Sequence, residues 1–105
     1  MAEVRVCAAD DVKPDSAVRV DVAGHRLAVV RVGDDAWYVI GDRCTHAEAS
    51  LAGGEIWPDE CEIECPKHGS AFSLQTGQPL TLPATQPVPV YEVRVDGGEV
   101  YVKLP

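Results

Sequence analysis

The sequence predicts an all-β protein, an antiparallel β-sandwich with a subdomain inserted at about residues 41–83. Three features support this prediction. No segment keeps the 3.6-residue period of an amphipathic helix, the chain contains sixteen valines, and five of its eight prolines lie between Pro66 and Pro89. Valine is β-branched and fits a pleated sheet, whereas proline interrupts a chain with loops. Residues 1–105 are expected to form one domain, because a chain of this length supports one hydrophobic core.

Strands are predicted where apolar and polar residues alternate, or where turn residues bound a short apolar run. The predicted strands are residues 17–22, 26–32, 36–40, 61–65, 91–95 and 99–103. Glycine-containing turns separate several of them, and the sequence Asp96-Gly97-Gly98 is typical of a β-hairpin. One loop is therefore expected to follow the strand that ends near Ile40, and another the strand that ends at Cys65.

The composition is that of a small, acidic, globular protein, with 46% hydrophobic and 25% charged residues. Nine Lys and Arg against 17 Asp and Glu give a formal charge of −8, which disfavours nucleic acids and anionic membranes as partners. No apolar run approaches the roughly 20 residues that span a bilayer. The first 15 residues are too charged for a signal peptide, so a cytoplasmic protein is expected. Size and charge favour a monomer.

Four residues that can bind a metal fall into two short motifs. Cys44 and His46 are separated by one residue, Cys65 and His68 by two, and 18 residues lie between the motifs. Thiolates and imidazoles together select zinc or an iron–sulfur cluster. Structural zinc sites usually pair two cysteines in one segment and two histidines in the next. Mixed motifs suit a two-iron cluster with both cysteines on one iron, although a structural zinc module for protein interaction stays open as the alternative.

The two motifs together resemble the Rieske iron–sulfur family. Phe72 and the turn Thr76-Gly77 fall where that family has an aromatic residue and a Thr-Gly turn. The resemblance covers the whole chain, because soluble Rieske-type ferredoxins are about this long and mostly β. It implies one [2Fe-2S] cluster bound in the subdomain at about residues 41–83, with a ligand set that comprises Cys44, His46, Cys65 and His68.

The same resemblance implies a one-electron carrier and not an enzyme. Its donor would be a flavin-dependent ferredoxin reductase and its acceptor a non-haem iron oxygenase. Oxygenase subunits that carry a Rieske domain need a further domain for a mononuclear iron, and this chain has no residues left to build one. Service to another redox partner, such as iron–sulfur cluster assembly, is an open alternative. Nucleophilic catalysis by Cys65 with His68 lacks an orienting acid or an oxyanion motif.

The resemblance also bears on the reduction potential. High-potential family members join the two ligand loops by a disulfide, and they use a serine and a tyrosine hydroxyl to hydrogen-bond the cluster sulfurs. The disulfide positions correspond to Ala49 and Lys67, the serine to Ser70 and the tyrosine to Phe72. Only the serine is kept. The expected potential is therefore in the lower half of the Rieske range, roughly −150 to 0 mV.

Residues 42–64 contain seven acidic residues and one basic residue. This acidic segment either steers the protein to basic patches on redox partners or provides a solubilising face. Four side chains outside the motifs are predicted to have no part in metal binding. Cys7 and Cys61 are predicted to be packed thiols and His25 to be exposed in a turn. Trp57 is predicted to be a core or sheet-packing residue.

Overall fold

The computed structural model describes residues 2–45, 49–67, 69–81 and 84–105. Within these ranges the chain forms ten strands and no α-helix, which confirms the predicted all-β class. The strands are β1 Ala2–Ala8, β2 Ser16–Val22, β3 His25–Val32, β4 Ala36–Gly41, β5 Glu55–Trp57, β6 Glu62–Glu64, β7 Ala71–Ser73, β8 Val90–Tyr91, β9 Val93–Asp96 and β10 Glu99–Leu104. Two short 3-10 helices span Ala9–Asp11 and Leu51–Gly53. No helix in the described ranges has the length and hydropathy needed to cross a membrane.

The described strands form three antiparallel sheets. Their strand orders are β1-β10-β9, β2-β3-β4-β8 and β5-β6-β7. Side chains of β3 enter two different groups of buried residues, with Leu27 and Val29 in one and Ala28 and Val30 in the other. Because successive side chains of a strand point to opposite faces, the sheet that contains β3 is covered on both sides.

The two cores differ in the elements that complete them. The sheet β2-β3-β4-β8 is the central sheet of the molecule. The first core contains Val100 and Val102 of β10 and therefore lies between the sheet β1-β10-β9 and this central sheet. The second core contains Ile63 of β6 and Phe72 of β7, together with Cys44 and Cys65. The small sheet β5-β6-β7 thus packs against the central sheet through the core that includes two of the predicted ligands.

Four strand predictions agree with the structure to within one residue at each end: β2, β3, β4 and β10. The predicted strand 61–65 is shortened to β6, because Cys61 has a φ of 57° and belongs to the preceding turn. The predicted strand 91–95 is interrupted at Glu92. On one side of Glu92, β8 pairs with β4, and on the other side β9 pairs with β10, so the chain changes sheets at this residue.

Candidate metal centre

The first predicted ligand loop begins where β4 ends. The Cys44 amide donates a hydrogen bond to the Ala49 carbonyl at 3.0 Å, and the Leu51 amide donates one to the Asp42 carbonyl at 2.7 Å. These bonds hold residues 42–45 beside residues 49–51. The Cys44 side chain is buried, with 2% of its surface exposed. His46, the other predicted ligand of this loop, lies outside the described residues.

The second predicted ligand loop begins where β6 ends. The Cys65 amide donates to the Ser70 carbonyl at 2.7 Å, and the Gly69 amide donates to the Cys65 carbonyl at 3.0 Å. Gly69 has a φ of +74°, which glycine adopts without steric cost, and the chain can therefore reverse sharply here. Cys65 is 1% exposed. His68 lies outside the described residues, so the structure leaves the histidine half of the ligand set as a prediction.

The two loops are closed in the same way. In each, a cysteine amide donates to the carbonyl of the residue five positions later, Ala49 after Cys44 and Ser70 after Cys65. Both cysteines belong to one group of buried residues. All four cysteines of the chain are described, and no disulfide joins any of them. The structure therefore brings the two predicted cysteine ligands into one apolar environment as thiols.

This donor set fits an iron–sulfur cluster. A Rieske-type [2Fe-2S] cluster takes two thiolates on one iron and two imidazoles on the other. Two buried thiols in matched loops fit the first pair. Among the described residues no three His, Cys, Asp or Glu side chains form a group that could hold a metal ion, and the two histidines of the predicted ligand set lie outside those residues.

A third segment, residues 84–88, contacts both ligand loops. The Ala84 amide donates to the Ser70 hydroxyl oxygen at 3.1 Å, and the Thr45 hydroxyl donates to the Gln86 carbonyl at 2.7 Å. Ser70 is fully buried and accepts this bond, and its own hydroxyl hydrogen can therefore be donated elsewhere in the site. Phe72 is also fully buried, and its ring offers no hydroxyl to the site.

One acidic residue of the segment 42–64 is not a surface charge. The prediction that this segment is an exposed acidic face is wrong for Asp42, which is fully buried. Its carboxylate accepts hydrogen bonds from Arg26 Nε at 2.9 Å, Ser50 Oγ at 2.8 Å and the Ala52 amide at 2.9 Å. A count of charges along the sequence gives no signal for this burial, because Arg26 lies 16 residues away on another strand.

Of the two predicted roles of Trp57, core residue and sheet-packing residue, the first is wrong, since 41% of its surface is exposed, whereas its position in β5 agrees with the second. In β5 the inward position is Ile56, so Glu55 and Trp57 point outward. The hairpin from β5 to β6 continues through the exposed Asp59 and Glu60. This surface therefore combines an aromatic side chain with carboxylates.

Cys7 and Cys61 lie outside both ligand loops. Cys7 is buried in the core that faces β10, and burial raises the pKa of its thiol. Cys61 is half-buried, and a hydrogen bond between Tyr38 and Cys61 raises the pKa of the Tyr38 hydroxyl. His25 is the first residue of β3, not part of a turn, and its half-buried ring meets the ring of Tyr91 edge-on. These contacts account for the three residues as parts of the packing.

Comparison with known proteins places this geometry in a family. Residues 2–92 match the family described as the Rieske [2Fe-2S] domain. Ferredoxin CarAc of Metapseudomonas resinovorans is 49% identical over 100 residues, which cover 94% of this chain and 91% of that protein. The 3-phenylpropionate/cinnamic acid dioxygenase ferredoxin subunit of Escherichia coli (strain K12) is 39% identical over 105 residues, 100% of this chain and 96% of that protein.

A solved structure is also similar to this chain. It is a complex of reduced oxygenase and oxidized ferredoxin in carbazole 1,9a-dioxygenase. The chain that matches is 47% identical, with a TM-score of 0.84, and the match covers 98% of this chain and 97% of that one. The buried cysteine pair, the sheet topology and the full-length similarity therefore agree: this chain belongs to the Rieske [2Fe-2S] family.

Proposed function

We propose that this protein is a one-electron carrier, a Rieske-type ferredoxin that passes electrons from a flavin-dependent reductase to a non-haem iron oxygenase in the cytoplasm. The observation that carries the proposal is the pair of buried thiols, Cys44 and Cys65, in two loops closed by the same hydrogen bond. Two similar proteins support the choice of an oxygenase as the acceptor: one is a ferredoxin subunit of a dioxygenase, and the other is the ferredoxin in a complex with the oxygenase of carbazole 1,9a-dioxygenase.

We assign the ligands as two pairs. Cys44 and Cys65 supply thiolates to one iron, and His46 and His68 supply imidazoles to the other. The bound [2Fe-2S] cluster supplies one-electron chemistry, at a potential raised by the neutral histidine ligands. Ser70 donates its hydroxyl hydrogen to a sulfur of the site. We further assign residues 41–83 as the cluster-binding part of a single domain, supported by the position of the sheet β5-β6-β7 within that range.

The absorption and EPR spectra of the purified protein test this assignment. A red-brown protein with absorption bands beyond 400 nm, as expected for an iron–sulfur centre, would support it. A colourless protein that contains zinc instead of iron would favour the structural zinc module, which uses the same four side chains.

The reduction potential is expected in the lower half of the Rieske range, roughly −150 to 0 mV, because of the two hydroxyls that high-potential family members use, this chain keeps that of Ser70 and has Phe72 in place of the tyrosine. Ser70→Ala should lower the potential further, since a hydrogen bond to sulfur stabilises the reduced state. Ser73→Ala is the control, because the Ser73 hydroxyl oxygen accepts hydrogen bonds from the amides of Gln75 and Thr76 in a turn. A redox titration that gives a midpoint above about +150 mV would contradict the assignment of these side chains.

The acidic hairpin between β5 and β6 is expected to steer the protein to a basic surface on its redox partners. The second-order rate constant of electron transfer should then fall about tenfold as ionic strength rises from about 0.01 M to about 0.15 M, since the Debye length shortens from about 30 Å to about 8 Å. Stopped-flow mixing with the reduced reductase measures this rate constant.

A matched pair of variants locates the effect. Asp59→Asn with Glu60→Gln removes two exposed charges of the hairpin and should flatten the salt dependence. Asp34→Asn with Asp35→Asn removes two exposed charges from the turn between β3 and β4, and it should leave the salt dependence unchanged. A rate that is constant with salt in the unmodified protein would mean that the hairpin charges only confer solubility.

A further inference from the structure

The first ligand loop is attached to the central sheet through a buried carboxylate. Asp42 follows β4 directly, two residues before Cys44, and is fully buried. Its backbone already links it to neighbouring segments, because its amide donates to the Arg26 carbonyl at 3.0 Å and its carbonyl accepts from the Leu51 amide at 2.7 Å. The Asp42 side chain forms a second set of hydrogen bonds. These bonds join the start of the loop to residues 50–52 and to β3.

One oxygen of the Asp42 carboxylate faces the returning limb of the loop. Oδ1 accepts from the Ser50 hydroxyl at 2.8 Å and from the Ala52 amide at 2.9 Å. Ser50 and Ala52 follow Ala49, whose carbonyl accepts the hydrogen bond from the Cys44 amide. The bonds to Oδ1 therefore hold in place the limb that positions the cysteine backbone.

The other carboxylate oxygen faces the scaffold. Oδ2 accepts from Arg26 Nε on β3 at 2.9 Å, and Arg19 Nε on β2 lies 3.9 Å away. The side chain of Arg26 is 32% exposed, while that of Asp42 is completely buried. A hydrogen bond to a charged group contributes more than a neutral one and is stronger where water is excluded. The loop is thus anchored to β3 by a charged link.

We propose that Asp42 is a positioning residue for the metal centre, and that its carboxylate fixes the loop of Cys44 by joining Ser50 and Ala52 to Arg26. This inference rests on the proposed function, because the loop is the one that supplies Cys44 as a ligand. A thiolate held in place needs little rearrangement to keep its bond to iron. A loop that keeps only its backbone bond to β3 samples more positions, and the bound cluster becomes easier to lose.

Two substitutions separate the two sides of the link. Asp42→Asn keeps an oxygen that can accept from Ser50 and Ala52, but it places an amide donor opposite the Arg26 donor. The side-chain link to Arg26 is then lost, while the backbone bond to the Arg26 carbonyl remains. Ser50→Ala keeps the pair with Arg26 and removes one bond on the loop side. Asp96→Asn is the matched control, because Asp96 is an exposed aspartate that pairs with Arg94 and shares no partner with Asp42.

The experiment measures how fast each holoprotein loses its visible absorbance in excess chelator, together with the EPR spectrum of the reduced form. We expect Asp42→Asn to lose the cluster about tenfold faster, equivalent to about 1.4 kcal/mol, with shifted g-values. We expect Ser50→Ala to lose the cluster about threefold faster, and Asp96→Asn to stay within about twofold of the unmodified protein, as exposed ion pairs contribute little. Circular dichroism confirms that each variant is folded.

Three results would overturn the proposal: a folded Asp42→Asn protein with the unmodified rate and spectrum, an Asp96→Asn protein that is affected equally, or a Ser50→Ala protein at the unmodified rate. If Asp42→Asn fails to fold, Ser50→Ala decides alone. If the unmodified protein lacks a Rieske EPR signal, the proposed function fails, and hydrogen exchange then decides the positioning role. Faster exchange of the Ala52 amide in Asp42→Asn would support it, and unchanged exchange would refute it.

Discussion

Replacing Cys65 with alanine is expected to abolish the visible absorbance and the EPR signal of the cluster. Cys65 is 1% exposed and lies in the same buried group as Cys44. Each ligand motif contains a single cysteine, so the motif of Cys65 has no second thiol to replace it. Cys44→Ala should have the same effect. Iron content and the absorption spectrum of the purified variants measure the loss. Cys61→Ala, which changes a half-buried cysteine outside both loops, is the control and should keep the full spectrum.

The histidine half of the ligand set is tested by the same spectra. His46→Cys and His68→Cys each replace a neutral imidazole by a thiolate, which adds negative charge to the site. The added charge should lower the reduction potential toward that of clusters with four cysteine ligands, about −400 mV. Unchanged EPR g-values and an unchanged potential in either variant would mean that this histidine is not a ligand.

Gly77→Ala is expected to reduce the free energy of unfolding by about 2–5 kcal/mol, the sum of a left-handed backbone cost and an overpacking cost. Gly77 has a φ of +76°, and an added Cβ would overlap the carbonyl oxygen of Val88. The Val88 amide donates to the Gly77 carbonyl at 2.9 Å, so the two backbones cannot separate without losing this bond. Urea denaturation followed by circular dichroism measures the change.

Gly33→Ala isolates the backbone contribution. Gly33 has a φ of +61°, and an added Cβ there meets no atom within 4 Å. This variant should lose only about 1–2 kcal/mol, the cost of a side chain in the left-handed region. Equal losses in the two variants would show that the approach of Val88 to Gly77 contributes nothing to stability.

The sequence predicts the strands of the central sheet because long elements have a readable pattern. The alternation in β2 and the apolar run in β3 extend over seven and eight residues. β5 and β7 contain three residues each, which is too short for a period of two to be distinguished from chance. The division between β8 and β9 at Glu92 also has no local signal, since it reflects a change of pairing partner.

The ligands of the candidate site are predictable because their chemistry is unusual, whereas their supports are not. Cysteine and histidine motifs are visible along the chain, and the resemblance to the Rieske family follows from their spacing. Asp42 and Thr45 act through partners that are remote in sequence, Arg26 on β3 and the carbonyl of Gln86. Aspartate and threonine are also common surface residues. Only the folded chain distinguishes the buried Asp42 from the exposed acids around it.

The burial of β3 on both faces has a consequence for how such a carrier can be modified. Leu27 and Val29 pack toward β10, whereas Ala28 and Val30 pack toward the two cysteine-bearing loops. Neighbouring residues of one strand therefore belong to separate halves of the molecule. Substitutions at positions 28 and 30 therefore change the packing beneath the cysteine-bearing loops, whereas substitutions at positions 27 and 29 change the packing against β10. All four side chains are fully buried, so a change on either face of β3 also changes the stability of the whole carrier.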